Sequence, residues 1–214
     1  MKSYDTYIFD LDGTLLNTLE DLFLSTNHAL RTFHQPERTR EEVRQFVGNG
    51  VRKLIERAVP NGAAHPQFEE IFAEFKAYYQ LHSEDHTAPY PGVCQLLEEL
   101  KRRGKKTAVV SNKFLAATQQ LCKQFFPDVI DVAMGEHEGV NCKPAPDMLR
   151  LAMKQLQATP DTTVYIGDSD VDLLTAQNTQ LPCISVLWGF RDEEFLRQHG
   201  ATCFVKTAAE ILPG

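Results

Sequence analysis

Short apolar runs, each broken by polar or turn-forming residues, recur along most of the chain. The first, Tyr7-Ile8-Phe9, stops at Asp10-Leu11-Asp12-Gly13 and reads as a buried strand entering a turn. Runs of the same kind predict strands over 107–110, 129–133, 164–166, 184–187 and 203–205. Helical spacing fills most of the gaps. Leu96, Leu97 and Leu100 mark a helix over 93–103, and segments 115–125, 146–156 and 172–178 read similarly. Strands alternating with helices predict an α/β fold whose parallel sheet is covered by helices on both faces.

One stretch departs from that rhythm. Residues 17–85 show helical periodicity over 19–33, 40–46, 52–59 and 68–81 and no strand pattern. This predicts a small all-helical domain inserted after the first strand, with a discontinuous core made of 1–16 and 86–214. The exit, 82–92, is polar and contains Pro89 and Pro91, as a hinge linker does. Within it His82 and His86 have helical spacing, but Ser83-Glu84-Asp85 between them does not complete a zinc-binding helix motif, so both read as solvated. Phe72, Phe75, Tyr78 and Tyr79 read as packing within the helical domain.

Composition narrows the function classes. With 43% hydrophobic residues the chain has ample material for a packed core. The net charge of -7, without a basic stripe, argues against a nucleic-acid partner and against binding to an anionic membrane. Five cysteines are scattered without a Cys-x-x-Cys pair, which argues against a disulfide framework or structural zinc and fits a reducing cytoplasm. No signal-peptide layout or membrane-length apolar run is present, so the expectation is a cytoplasmic monomer or homodimer.

The candidate chemistry sits where strands end. Asp10 and Asp12 are two apart, so a strand would point both the same way, while Gly13 lets the backbone bend. A second acidic group, Asp168-Ser169-Asp170-Val171-Asp172, follows the strand at 164–166. In open α/β sheets ligands bind at the carboxyl ends of strands. Carboxylates converging there repel one another, and an oxygen-only donor set favours Mg²⁺ as the remedy. Asp168-x-Asp170-x-Asp172 also opens like a calcium loop, but Leu173 and Thr179 occupy the positions that need Gly and Glu. Ser111 and Asn112 end another strand with groups able to donate to phosphoryl oxygens, although either also suits a helix cap. Lys143, just before a helix, offers the positive charge a phosphate needs.

Phe9-Asp10-Leu11-Asp12-Gly13-Thr14-Leu15, Ser111-Asn112, Lys143-Pro144, and Gly167-Asp168 with Asp172 together resemble the four motifs of the haloacid dehalogenase superfamily, in order and across nearly the whole chain. Phe46-Val47-Gly48-Asn49-Gly50, Ser111-Asn112-Lys113 and Trp188-Gly189-Phe190-Arg191 are most similar to its phosphoglycolate phosphatase group. The resemblance implies a Rossmann-like core with a helical cap, and a Mg²⁺-dependent phosphatase acting on a small phosphorylated metabolite. It implies Asp10 as nucleophile, Asp12 as proton donor and then acceptor, and Ser111 and Lys143 as stabilisers of the phosphoryl charge. Thr14 assists at the substrate, and Asn112 holds Asp10 or substrate. The metal lies with Asp10, the carbonyl of Asp12 and Asp168, while Asp172 supports from further out. Asp170 departs from the basic or polar residue common there and is expected to be peripheral. In the cap, Asn49, Gly50 and Arg52 lead into a helix whose N–H groups are expected to receive a second anionic group of the substrate. The presence of Asp12 argues against dehalogenation. A sugar phosphomutase, a pyrophosphatase or nucleotidase, and a non-catalytic phosphometabolite-binding protein are the competing readings.

Overall fold

The structure, a computed structural model, describes residues 2–212. The chain divides into two compact units, Met1–Leu16 with Pro89–Gly214, and Asn17–Ala88.

The larger unit is built on six parallel strands: β1 (Thr6–Phe9), β4 (Lys106–Phe114), β5 (Val132–Glu136), β6 (Thr163–Gly167), β7 (Cys183–Val186) and β8 (Phe204–Val205), in the order β5-β4-β1-β6-β7-β8. The short strands β2 (Leu16–Asn17) and β3 (Ala88–Pro89) pair separately where the chain passes between the units. Alternation along each strand sends side chains to two covered faces. Tyr7, Phe9, Val109, Val164 and Ile166 pack with α5 (Val93–Arg102) and α6 (Leu115–Phe125). Ile8, Ala108, Val110 and Tyr165 pack with α7 (Asp147–Leu156) and α8 (Asp170–Thr179). Both faces of β1 are therefore apolar, which is why its sequence shows a continuous run rather than alternation. From β1 the sheet grows outward through β4 to β5, then returns to β1's other side for β6, β7 and β8. That reversal opens a crevice at the carboxyl ends of β1, β4 and β6.

Two strands differ from the pattern expected of them. Segment 129–133 pairs only from Val132 onward. Just before it, the Thr107 hydroxyl donates to the Val129 carbonyl, and the Asp131 carboxylate accepts the Thr107 N–H at 2.8 Å. The Asp131 N–H also donates to the Thr107 carbonyl at 3.0 Å, so a mix of main-chain and side-chain bonds leads into the strand. Conversely β4 runs past Val110 to Phe114, with a register shift after Val110, so Ser111, Asn112 and Lys113 lie in the strand. The short α9 (Glu193–Gln198), capped by Asp192, has Leu196 as its buried residue and so lacks a periodic signature.

The smaller unit contains α1 (Leu19–Thr32), α2 (Arg40–Phe46), α3 (Val51–Ala58) and α4 (Phe68–His82). Thr39 and Glu42 form a capping box that starts α2. Leu30, Ile55, Ile71 and Phe75 are fully buried. His86 does more than face solvent. Its main-chain N–H and ring meet the buried Asp21 carboxylate, which also accepts from the N–H and hydroxyl of Thr87. His82 pairs with Asp85 at 2.8 Å. No helix among the described residues is long and apolar enough to cross a membrane.

Candidate active site

Asp10 is the first residue beyond β1, and its N–H still donates to the Ile166 carbonyl at 2.9 Å. The sheet ladder therefore fixes its backbone. Its Oδ1 accepts from the Leu11 N–H at 2.7 Å and pairs with Lys143 Nζ at 2.8 Å. Gly13 follows with φ 88°, and a Cβ there would fall 2.4 Å from Asp168 Oδ2. Only glycine meets both demands. Past β6, Asp168 Oδ1 accepts from the Thr14 hydroxyl at 3.1 Å and Oδ2 from the Phe190 N–H at 2.7 Å.

Asp172 occupies the first turn of α8, where it closes a reciprocal capping box with Ser169. Its Oδ1 accepts from Lys143 Nζ and the Tyr165 hydroxyl, each at 2.9 Å. Its Oδ2 accepts from the N–H groups of Asp168 and Ser169 and, at 2.6 Å, from the Ser169 hydroxyl. Both oxygens are thus held by protein donors. Lys143, buried, also donates to Tyr165 Oη at 3.0 Å. The Asn112 amide bridges to the Lys143 main chain, accepting from its N–H at 2.8 Å and donating to its carbonyl at 3.0 Å. Ser111 Oγ accepts from the Lys113 N–H at 3.2 Å. On the far side of the loop, Asp12 pairs with Lys113, whose Nζ lies 3.1 and 3.3 Å from its two oxygens.

The electrostatics are those of an acidic pocket that is short of positive charge. Burial, the Asp172 charge and the Asp168 charge raise the Asp10 carboxyl well above its usual range, although Lys143 opposes them. Burial and the Asp172 charge lift Asp168 to about 7 against the Phe190 and Thr14 hydrogen bonds. Burial pushes Asp172 upward too, but Lys143, Ser169 and Tyr165 more than reverse it and leave it lowered. Burial would lower Lys143, but Asp10 and Asp172 carry it above the usual lysine value. One oxygen from each of Asp10, Asp168 and Asp172 lies within 4.8 Å of the others. This hard-oxygen cluster, with two carboxyls held at a disfavoured charge, fits a divalent cation.

The crevice thus brings together Asp10, Asp12, Thr14, Ser111, Asn112, Lys143, Asp168 and Asp172. Asp170 lies outside the carboxylate cluster, 3.6 Å from Arg191. Asn49, Gly50 and Arg52 belong to the helical unit. There Gly50 starts α3 at φ 83° without a side-chain cap, and Asn49 Oδ1 accepts from Arg57 at 2.7 Å. Arg52 pairs with Glu69 and lies over the rings of Phe68 and Phe72. Three contributors were given no role by the sequence. Tyr165 reads as an ordinary strand residue, and Lys113 as the tail of a motif. The loop at 188–191 is the third: Trp188 Nε1 donates to the Thr14 carbonyl at 2.9 Å, and a Cβ on Gly189 would lie 2.3 Å from Asp168 Cβ. The family-like Trp-Gly-Phe-Arg run was the one hint available for that loop.

Comparison with known proteins agrees with this architecture. The model of the haloacid dehalogenase-like hydrolases matches residues 7–186. Phosphoglycolate phosphatase 1 of Pseudomonas aeruginosa is 30% identical over 96% of this chain and 78% of its own. The pyrophosphatase PpaX of Bacillus cereus is 27% identical over 98% of this chain and 95% of its own. A crystal structure from Lactobacillus delbrueckii subsp. bulgaricus, provisionally named a phosphoglycolate phosphatase, superposes with a TM-score of 0.93. It shares 36% identity over 98% of this chain and 97% of that one. With its four motifs converging on one crevice, this chain belongs to the haloacid dehalogenase-like hydrolases.

Proposed function

We propose that the protein is a Mg²⁺-dependent phosphatase of the cytoplasm that hydrolyses a small phosphomonoester, with 2-phosphoglycolate as the leading candidate, through a covalent intermediate on Asp10. The observation that carries this reading is the Asp10 carboxylate. It is fixed by the sheet ladder, oriented by Lys143 and the Leu11 N–H, and followed two residues on by a second carboxylate paired with Lys113. An Asp10 oxygen attacks phosphorus as the bond to the leaving oxygen breaks, and Asp12 delivers a proton to that oxygen. Asp12 then takes a proton from water, the water oxygen bonds to phosphorus, and the bond to Asp10 breaks to release phosphate. Ser111 and Lys143 stabilise the phosphoryl oxygens, while Asn112 keeps Lys143 in place. Mg²⁺ would be held by Asp10, the Asp12 carbonyl and Asp168, with Asp172 outside that set. When bound it supplies positive charge to the phosphoryl group.

Phosphate release from a panel including 2-phosphoglycolate and pyrophosphate, with Mg²⁺ and with chelator, tests the reading. Release unaffected by chelator contradicts the metal requirement, and the ranking of kcat/KM decides between phosphoglycolate and the pyrophosphatase alternative suggested by PpaX. In the cap, the N–H groups at the head of α3, with Asn49, Gly50 and Arg52, are the proposed contact for an anionic part of the substrate. The double variant Asn49→Ala, Arg52→Ala is expected to raise KM for 2-phosphoglycolate by at least about fivefold. An unchanged KM removes these residues from the site.

The Asp168 carboxyl gives the metal-free protein a pH signature. Its folded value of about 7 exceeds the ordinary carboxyl value of 3.8, so the folded state holds a proton that the unfolded state has lost. Stability of the metal-free protein therefore falls as pH rises between those values. Mg²⁺ competes with that proton. Its affinity by titration calorimetry is expected to rise as pH increases from about 5.5 to 7, at up to about tenfold per pH unit. Affinity that is flat or falls over this window contradicts the assignment of Asp168 to the metal.

A further inference from the structure

Two lysines enter the crevice, and they stand on different sides of the chemistry. Lys143 serves the phosphoryl side, with Nζ at 2.8 Å from Asp10, 2.9 Å from Asp172 and 3.0 Å from the Tyr165 hydroxyl. Lys113 instead meets the Asp12 side of the crevice. Its Nζ straddles both oxygens of Asp12, the group assigned to the leaving oxygen. The Lys113 side chain is only 3% exposed, whereas that of Asp12 is 15% exposed. The ammonium is thus more deeply buried than the carboxylate it pairs with.

We infer that Lys113 is a specificity-determining residue that selects substrates whose leaving group carries its own negative charge close to the scissile oxygen. The inference rests on the phosphatase reading above and names the substrate class for it. A proton donor works within hydrogen-bond reach of the leaving oxygen, so Lys113 Nζ stands within roughly 6 Å of that atom. An anionic group one or two bonds beyond the leaving oxygen falls inside that radius. The carboxylate of 2-phosphoglycolate and the second phosphoryl group of pyrophosphate both meet the condition. The neutral carbon frame of a sugar or alcohol phosphate does not. A buried ammonium discriminates strongly here, because a neutral leaving group leaves its charge without the substrate partner.

The test compares 2-phosphoglycolate with its neutral isostere 2-phosphoglycolamide as a pair. Both leave as alkoxides of similar basicity that need Asp12, so a general weakening of the proton donor affects both members of the pair alike. In the wild type the charged member should exceed the neutral one in kcat/KM by at least about 30-fold. In Lys113→Met that ratio should fall to near about 1, and in Lys113→Arg, which keeps the charge, it should stay above about 10. A wild type that prefers the neutral member, or that hydrolyses only p-nitrophenyl phosphate or sugar phosphates, overturns the inference. So does a Lys113→Met variant that loses both members of the pair equally, which would make Lys113 a positioning residue for Asp12 alone. Absence of phosphate release from every substrate, p-nitrophenyl phosphate included, would instead sink the phosphatase reading itself.

Discussion

Asp10→Asn is expected to lower kcat for phosphate release by at least about 10⁴-fold while leaving the fold intact. The substitution preserves volume and one oxygen, so packing at the end of β1 has no reason to change. It removes the atom that would bond to phosphorus, and no neighbouring group replaces it. Asp168 is held by Thr14 and Phe190, and Asp172 by five protein donors. Stability gives an independent check. Burial and the Asp172 charge raise the Asp10 carboxyl well above its ordinary value. In the metal-free wild type, Asp10 therefore contributes stability that is present at low pH and lost as pH rises through its folded value. The amide removes that dependence, so the melting temperature of Asp10→Asn relative to wild type should increase from pH 5 to pH 8. A variant retaining a tenth of wild-type kcat would refute the nucleophile assignment.

Lys143→Met should produce the second-largest effect, and it combines activity with stability. The lysine is the cation between Asp10 and Asp172, and the Asn112 amide fixes its backbone. Removing it leaves two buried carboxylates facing each other without their partner, a loss of about 3–5 kcal/mol by analogy with other broken buried pairs. The sign of the pH dependence follows from Asp172. Burial pushes its carboxyl up, but Lys143 and its other donors hold it below the ordinary value. In the wild type, this pairing contributes stability above the unfolded carboxyl value and loses it as pH falls. The variant lacks that contribution, so its deficit should be greatest near pH 8 and smaller near pH 5, where one carboxyl takes up a proton. Urea denaturation at the two pH values measures this. Phosphatase kcat/KM should fall by at least about 10³-fold, because the phosphoryl charge loses its fixed counter-charge. An equal stability loss at both pH values, or activity within tenfold of wild type, would contradict the role given to Lys143.

Much of this arrangement was legible in the sequence because it depends on local signals. Tyr7-Ile8-Phe9 stopping at Asp10 announces a buried strand and its polar end, and Gly13 marks the bend beside Asp168. The rest depended on contacts between residues far apart in the chain. Asp172 was expected only to support the metal from further out. The structure makes it a cap with Ser169 and, at the same time, a partner of Lys143 and Tyr165. Asn112 was read as a substrate contact, yet its bridge to the Lys143 main chain exists only once β4 and the loop before α7 come together. The start of β5 was misplaced because residues 129–131 are tied to Thr107 partly through side chains before regular pairing begins at Val132, which apolar patterning does not register. Lys113 is the clearest case. At the end of a strand a lysine usually implies a solvated charge, and only folding reveals it buried against Asp12.

The central claim is a covalent phosphoryl group on Asp10, and the most direct measurement is to stop turnover in acid and map it. The enzyme would be mixed with Mg²⁺ and the best substrate of the panel, quenched within one turnover, digested and analysed by mass spectrometry with and without hydroxylamine. The account predicts one hydroxylamine-labile phosphoryl group on the peptide containing Asp10, and none in Asp10→Asn. Phosphate release with the phosphoryl group on another residue, or full activity of Asp10→Asn, would contradict it.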